Sequence, residues 1–196
     1  EKNSGTTLLS ESVKEIVIKN QKVVSVKSDK HIYDDFDYVI SATPLYALDK
    51  IIPKKNLDIT LELEYSTILN IHLWLNENSL SEKFYGLLDS SLHWIFVKEN
   101  HINIVISDAD YLVDKTKEEI LKFVIEELVQ YTSIKDEDIQ RYKIIKEKRA
   151  TFVPNINTLD KRPNNKTPIK NLFLAGDWTN TGLPSTIESA VKSGRM

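Results

Sequence analysis

The sequence contains no cysteine. Disulfide staples are excluded, and so is any thiolate metal site. Glycine is scarce. Its five residues fall at positions 5, 86, 176, 182 and 194. None has the G-x-G-x-x-G spacing of a turn that cradles phosphate. No apolar run approaches the roughly 20 residues that a bilayer-spanning helix needs. An excess of positive charge is missing too. Lys and Arg number 26 against 29 Asp and Glu, for a net charge of −3, which argues against a nucleic-acid partner. The four histidines, at 31, 72, 93 and 101, lack metal-ligand spacing.

What is present suffices for a packed core. Hydrophobic residues make up 41% of 196, enough for one large domain or two small ones. Lysine is interleaved with acids, the pattern of a solvated surface. Residues 13–19 and 22–28 are β-rich runs split by Asn20-Gln21, which reads as a hairpin. Residues 38–42 form another strand, ending at Pro44. In residues 65–75, Thr67, Leu69, Ile71, Leu73 and Leu75 line one face, and Ile68, Asn70, His72 and Trp74 the other. Strands near 84–88, 93–97 and 102–107 follow at hairpin spacing. Thr116 and Glu119 have capping-box spacing. They open an amphipathic helix whose predicted buried face is Leu121, Val124, Ile125, Leu128 and Val129. Tyr142 to Lys148 is a further strand. The loop 153–170, with Pro154, Pro163 and Pro168, is the expected flexible segment. Within it, Asn165-Lys166-Thr167 matches a glycosylation sequon, read here as without consequence.

Residues 171–194, NLFLAGDWTNTGLPSTIESAVKSG, are the most informative stretch. The apolar run Leu172-Phe173-Leu174-Ala175 ends abruptly in Gly176-Asp177. A polar loop turns at Gly182 and Pro184. Ser185 and Glu188 have capping-box spacing, which predicts a helix start near Ser185. Ile187, Ala190, Val191 and Gly194 then share one face. An acidic residue at a strand's end can accept hydrogen bonds from a sugar hydroxyl. A helix start offers N–H groups and a positive dipole end. Taken alone, the pattern also fits an ordinary capped helix after a core strand, with Asp177 in a plain turn.

The whole string resembles the last flavin-binding segment of the FAD-dependent amine oxidase and desaturase superfamily. Within it, the chain is most similar to the squalene-associated FAD-dependent desaturases, or hydroxysqualene dehydroxylases, with phytoene-type carotenoid desaturases next. The upstream residues Glu147-Lys148-Arg149-Ala150-Thr151-Phe152 and Arg162-Pro163 also resemble the dehydroxylase group. So does the strand Tyr38-Val39-Ile40-Ser41, running into the turn Ala42-Thr43-Pro44. Residues 65–75 and 93–97 resemble the family's substrate-domain strands more loosely.

That resemblance implies a mixed α/β (α+β) fold: the C-terminal part of a two-domain, amine-oxidase-like FAD-binding protein with a mixed β-sheet substrate domain. The expected division is 1–50 and 146–196 in the FAD domain and 51–145 in the substrate domain. The missing G-x-G-x-x-G, which opens proteins of this family, leads to the expectation that the chain is the C-terminal portion of a longer enzyme. The implied cofactor is FAD. Its implied contacts are Val13, Gly176, Asp177, Trp178, Thr186 and Ile187: Val13 by its backbone at the adenine, Asp177 at a ribityl hydroxyl, Trp178 beside the flavin or under it, and the N–H groups of Thr186 and Ile187 at its pyrimidine edge. Val13 reads equally well as an ordinary strand residue.

The implied chemistry is redox at a long isoprenoid lipid, foremost the removal of a hydroxyl from hydroxysqualene to give squalene. Alternatives are carotenoid desaturation, amine oxidation, or a non-catalytic binding domain that kept the fold. No catalytic residue stands out. The implied location is the cytoplasm, with peripheral contact at the inner face of a membrane. Lys148 and Arg149 read either as contacts to an anionic lipid head or as surface charges. Trp74 and Trp94 read as core or as pocket lining, and His72 and His93 as structural or cavity-facing.

Overall fold

The computed structural model describes residues 5–195, and at residue 157 the backbone alone. In chain order the strands and helices are β1 (Val13–Lys19), β2 (Lys22–Ser28), β3 (Ile32–Tyr33), β4 (Val39–Ser41), α1 (Leu45–Ile51), β5 (Tyr65–Leu75) and β6 (Phe84–Gly86). They continue with β7 (Trp94–Lys98), β8 (His101–Ile106), α2 (Lys117–Tyr131), β9 (Ile139–Phe152), α3 (Ile156–Leu159), β10 (Leu172–Leu174) and α4 (Ile187–Ser193). The fold is mixed α/β, and it divides into two compact units, Glu1–Leu63 with Pro154–Met196, and Glu64–Val153. These borders, at 63/64 and 153/154, lie later in the chain than the 50/51 and 145/146 anticipated. Residues 146–152 stay with the second unit because β9 keeps pairing β5 as far as Phe152 opposite Tyr65.

In the first unit β1, β2 and β3 form an antiparallel sheet. Asn20 and Gln21 take φ of 50° and 56°. Positive φ at both central residues matches the twist of a two-residue hairpin, and Asn tolerates it best. The hairpin is tied to the start of β10 by one side chain. Asn171 accepts from the Val23 N–H at 2.8 Å and donates to the Val23 carbonyl at 3.1 Å. β10 pairs with β4 in parallel, Leu172 opposite Val39 and Leu174 opposite Ser41. The ladder continues as Ala175 N–H donates to the Ser41 carbonyl at 2.9 Å. The Ala42-Thr43-Pro44 turn thereby lies beside the chain leaving β10.

The second unit is one antiparallel sheet of order β6-β7-β8-β5-β9. The alternation read along β5 is realised: Thr67, Leu69, Ile71, Leu73 and Leu75 are buried. The four aliphatic residues among them form a core with Ile95, Ile102, Ile104, Ile106 and Ile144. Each fully buried aliphatic side chain contributes about 1.5–3 kcal/mol relative to exposure. Helix α2 covers this face. Its capping box forms as read, with Glu119 N–H donating to Thr116 Oγ1 at 3.2 Å and Thr116 N–H to Glu119 Oε2 at 2.7 Å. Hydrogen bonding from the Thr116 backbone N–H, then from its side chain, holds the Glu119 carboxyl below its ordinary value.

The buried stripe of α2 differs from the expected one. It is Ile120, Val124 and Leu128, while Val129 is 46% exposed. A helix on one sheet face buries an i, i+4, i+8 line, and neighbours such as Leu121 are only partly covered. The other face of the sheet carries Phe84, Trp94 and Phe96, each roughly half exposed.

Candidate functional site

The site is built where β10 stops. Gly176 has φ of +145°, and a Cβ there would lie 2.7 Å from Trp178 Nε1. Only glycine fits both restraints. Its N–H donates to Ser193 Oγ at 2.8 Å, and its carbonyl accepts from Thr179 Oγ1 at 2.8 Å. The chain is thus pinned at the point where it turns out of the strand. Trp178 is 2% exposed, and its Nε1–H donates to the Thr43 carbonyl at 3.1 Å. The A-x-P turn and the Gly-Asp-Trp turn are therefore one packed piece.

Asp177 is half-buried. Its Oδ2 accepts a short hydrogen bond from Ser185 Oγ. No donor among the described residues engages Oδ1. The carboxylate is thus oriented yet keeps one oxygen for another donor. Gly182 takes φ of +73° with nothing within 4 Å of a built Cβ, so the loop opens onto space there. An oriented acceptor with one oxygen to spare, beside an open turn, fits a polyhydroxyl chain.

The helix that follows departs from expectation in two ways. Its N-cap is Thr186, whose Oγ1 accepts from Ser189 N–H at 3.1 Å. The predicted Ser185–Glu188 box does not form, because the Ser185 hydroxyl is committed to Asp177. The buried face is also not the apolar one. Ser189 and Ser193 are buried, whereas Ile187 is 86% and Val191 46% exposed. Hydrogen bonds, not hydrophobic burial, dock this face.

Loop 153–170 was expected to be flexible, but Thr158, Arg162 and Asn165 within it are buried. Arg162 Nη1 donates to the Leu183 carbonyl at 2.6 Å and Nη2 to the Asp177 carbonyl at 2.5 Å. Asn165 Nδ2 lies 2.8 Å from both the Leu174 and Ser193 carbonyls. The sequon asparagine is therefore a buried brace. No apolar periodicity marks such residues; Arg162 was signalled by the family resemblance of Arg162-Pro163, and Asn165 only by the sequon and its place just before the Gly-Asp-Trp turn.

Gly176, Asp177, Trp178 and Thr186 are brought together in one loop and helix start, with Ile187 following. Val13 stands apart at the first position of β1, opposite Ser28 and 42% exposed. Just before it lies a cluster that the sequence reading missed. Glu11 Oε1 accepts from Ser28 Oγ, from Tyr33 Oη at 2.7 Å and, at 3.0 Å, contacts His31 Nδ1. The bonds from Ser28, Tyr33 and His31 pull the Glu11 carboxyl down to about 2.

In the second unit, His93 accepts from the Ser107 N–H at 3.0 Å, a structural role. His72 Nδ1 lies 3.1 Å from His101 Nε2. Burial, with added repulsion from His101 and Lys143, lowers the His72 pKa. Trp74 is capped by Arg141, whose guanidinium carbon sits 3.9 Å from a ring centroid. Among the described residues, no group of three or more His, Asp or Glu could hold a metal ion.

The family model for flavin containing amine oxidoreductases matches residues 1–196. The chain belongs to this family. Flavin is therefore the cofactor the family implies, and the loop just described has the acceptor and the space to receive part of one. The chain is 36% identical over 159 residues to the hydroxysqualene dehydroxylase of Zymomonas mobilis, covering 81% of this chain and 37% of that protein. It is 31% identical over 199 residues to that of Sinorhizobium fredii, covering 99% and 46%. The chain thus spans less than half the length of these relatives. A putative protoporphyrinogen oxidase from Exiguobacterium superposes with a TM-score of 0.69 at 13% identity, covering 94% of this chain and 45% of that one, a likeness of fold.

Proposed function

We propose that this chain is part of an FAD-dependent oxidoreductase that converts hydroxysqualene to squalene. The reading is carried by the oriented Asp177 carboxylate with its open Oδ1, in a chain similar to hydroxysqualene dehydroxylases along nearly all its length. When bound in its reduced form, the flavin would supply the hydride that replaces the hydroxyl, which leaves with a proton as water. Asp177 accepts a hydrogen bond from a ribityl hydroxyl. Gly176 lets the backbone turn there, and buried Trp178 backs the turn from the protein side. Thr186 caps α4 so that its own N–H and that of Ile187 are offered at the pyrimidine edge, where they favour negative charge. The Val13 backbone meets the adenine.

The half-exposed Phe84, Trp94 and Phe96 suit a long isoprenoid chain. They suit a carotenoid precursor equally, so phytoene-type desaturation is the second reading. A lipid substrate goes with a cytoplasmic enzyme touching the inner face of a membrane. Nothing in the charge balance calls for nucleic acid.

Two measurements test the reading. Asp177→Ala in the complete flavoprotein should lower flavin retention by about 1.5–3 kcal/mol, the worth of a hydrogen bond to a charged group. Full occupancy after dialysis would reduce Asp177 to a turn residue. Incubating the reduced holoprotein with hydroxysqualene should yield squalene. Desaturation of phytoene by the oxidised holoprotein instead would give the second reading.

A further inference from the structure

Arg162 is 7% exposed, and its guanidinium contacts both ends of the turn that follows β10. Its hydrogen bonds reach the Asp177 carbonyl at 2.5 Å and the Leu183 carbonyl at 2.6 Å. Nη2 also lies 3.5 Å from Thr181 Oγ1 and 3.4 Å from Ser189 Oγ. Thr181 Oγ1 and Ser189 Oγ are themselves 2.6 Å apart, so the guanidinium joins the loop to α4. Residues 177–186 include no strand or helix of their own and contain a positive-φ glycine at 182. Without a brace, ordering this stretch would be charged against ligand binding.

We propose that Arg162 is a positioning residue for the flavin. Its planar fork clamps residues 177–189 in the one shape that presents the Asp177 carboxylate and the start of α4 together. Lysine cannot replace it: an ammonium is a point charge without two parallel donors at fixed spacing. Neither carbonyl it holds belongs to a residue whose identity matters for the bond. The demand therefore falls on Arg162 alone, in a segment that reads as loop. The proposal rests on the reading of residues 176–187 as a flavin site.

The test is flavin affinity of the complete flavoprotein, measured by titrating the apoprotein with FAD. Arg162→Ala should weaken binding at least about tenfold, equivalent to about 1.4 kcal/mol. Arg162→Lys should be nearly as weak. Guanidinium chloride at millimolar concentration, far below denaturing levels, should restore affinity to Arg162→Ala, and ammonium chloride should not. A residue that merely supported the fold would lower the melting temperature of the apoprotein along with the affinity, whereas a positioning residue weakens flavin binding with the apoprotein melt nearly unchanged. Wild-type affinity in either variant, or an Arg162→Ala variant that guanidinium fails to rescue, overturns the proposal. If Arg162→Ala does not fold, the Lys variant decides alone: tight flavin binding would show that charge suffices and the clamp idea is wrong. Should Asp177→Ala weaken flavin binding while the Arg162 variants do not, the clamp fails and the site reading stands. Should Asp177→Ala bind normally, the site reading itself fails.

Discussion

Helices α2 and α4 dock in opposite ways. Helix α2 buries Ile120, Val124 and Leu128 against an aliphatic sheet. Helix α4 buries Ser189 and Ser193 and turns Ile187 outward. The first contact is non-directional and tolerates small rotations, since its strength follows buried area. The second is directional: each serine has a specified partner, Thr181 for Ser189 and the Gly176 N–H for Ser193. A scaffold can be held by area. A loop that must place one carboxylate within hydrogen-bond reach of a ligand is better held by bonds of fixed geometry.

The sharpest way to break this contrast is to cut the core of the second unit. Leu73→Ala removes a fully buried side chain of β5 and should cost about 2–5 kcal/mol in urea unfolding. Hydrogen exchange should show the lost protection concentrated in β5, β8 and β9. A cost below about 1 kcal/mol would mean the core is not what holds this sheet. Gly176→Ala probes the directional region instead. Left-handed strain there costs about 1–3 kcal/mol, and the Trp178 ring must move off the new methyl. Thermal melting should fall, and Trp178 emission should shift as its bond to Thr43 loosens. An unaltered melt would show that the turn is adaptable and the packing argument wrong.

The acid dependence of the hairpin sharpens the comparison at a third point. The Glu11 carboxyl is depressed from 4.5 to about 2 in the folded protein. A lowered folded value means stability fully present above 4.5 that is lost as pH falls towards 2. Glu11→Gln should flatten the decline of stability across that window, and identical acid curves for both proteins would remove the cluster from the account. The smallest effect is expected on the outer side of α2. Val129→Ser should change stability by no more than about 0.5 kcal/mol, because Val129 is 46% exposed. Val124→Ser on the same helix should cost several times more. Equal costs would put the buried stripe where periodicity alone had placed it.

The second unit was the more legible region. Strict alternation over Tyr65–Leu75 and the Thr116–Glu119 capping box are local signals, and both survive into the structure. The stripe on α2 was misplaced by about one position because Leu121 and Ile125 are as apolar as Ile120. Periodicity defines an arc, and only the sheet beneath chooses its centre. In the first unit the Gly-Asp-Trp turn was visible, but its supports were not. Arg162 was marked only by family resemblance and Asn165 only by a sequon and its place before that turn, and their partners are backbone carbonyls, which leave no trace in side-chain identity. Ser185 was assigned to a cap it does not make because Asp177, eight positions away, competes for its hydroxyl.

Sequence alone determined the hairpin, the long strand, the capped helix, the family, and the position of Asp177 at the end of a core strand. These depend on side chains within a few residues of one another, or on a string long enough to be recognised. Tertiary structure alone decided which serines are buried, why Trp178 requires a glycine two residues before it, and that Arg162 holds the loop after β10. Those outcomes depend on directional bonds between groups 15 to 27 residues apart for Arg162, and 135 apart for Trp178 and Thr43. A hydrogen bond to a backbone carbonyl needs only that the two groups meet, and where they meet is set by the packing of every element between them.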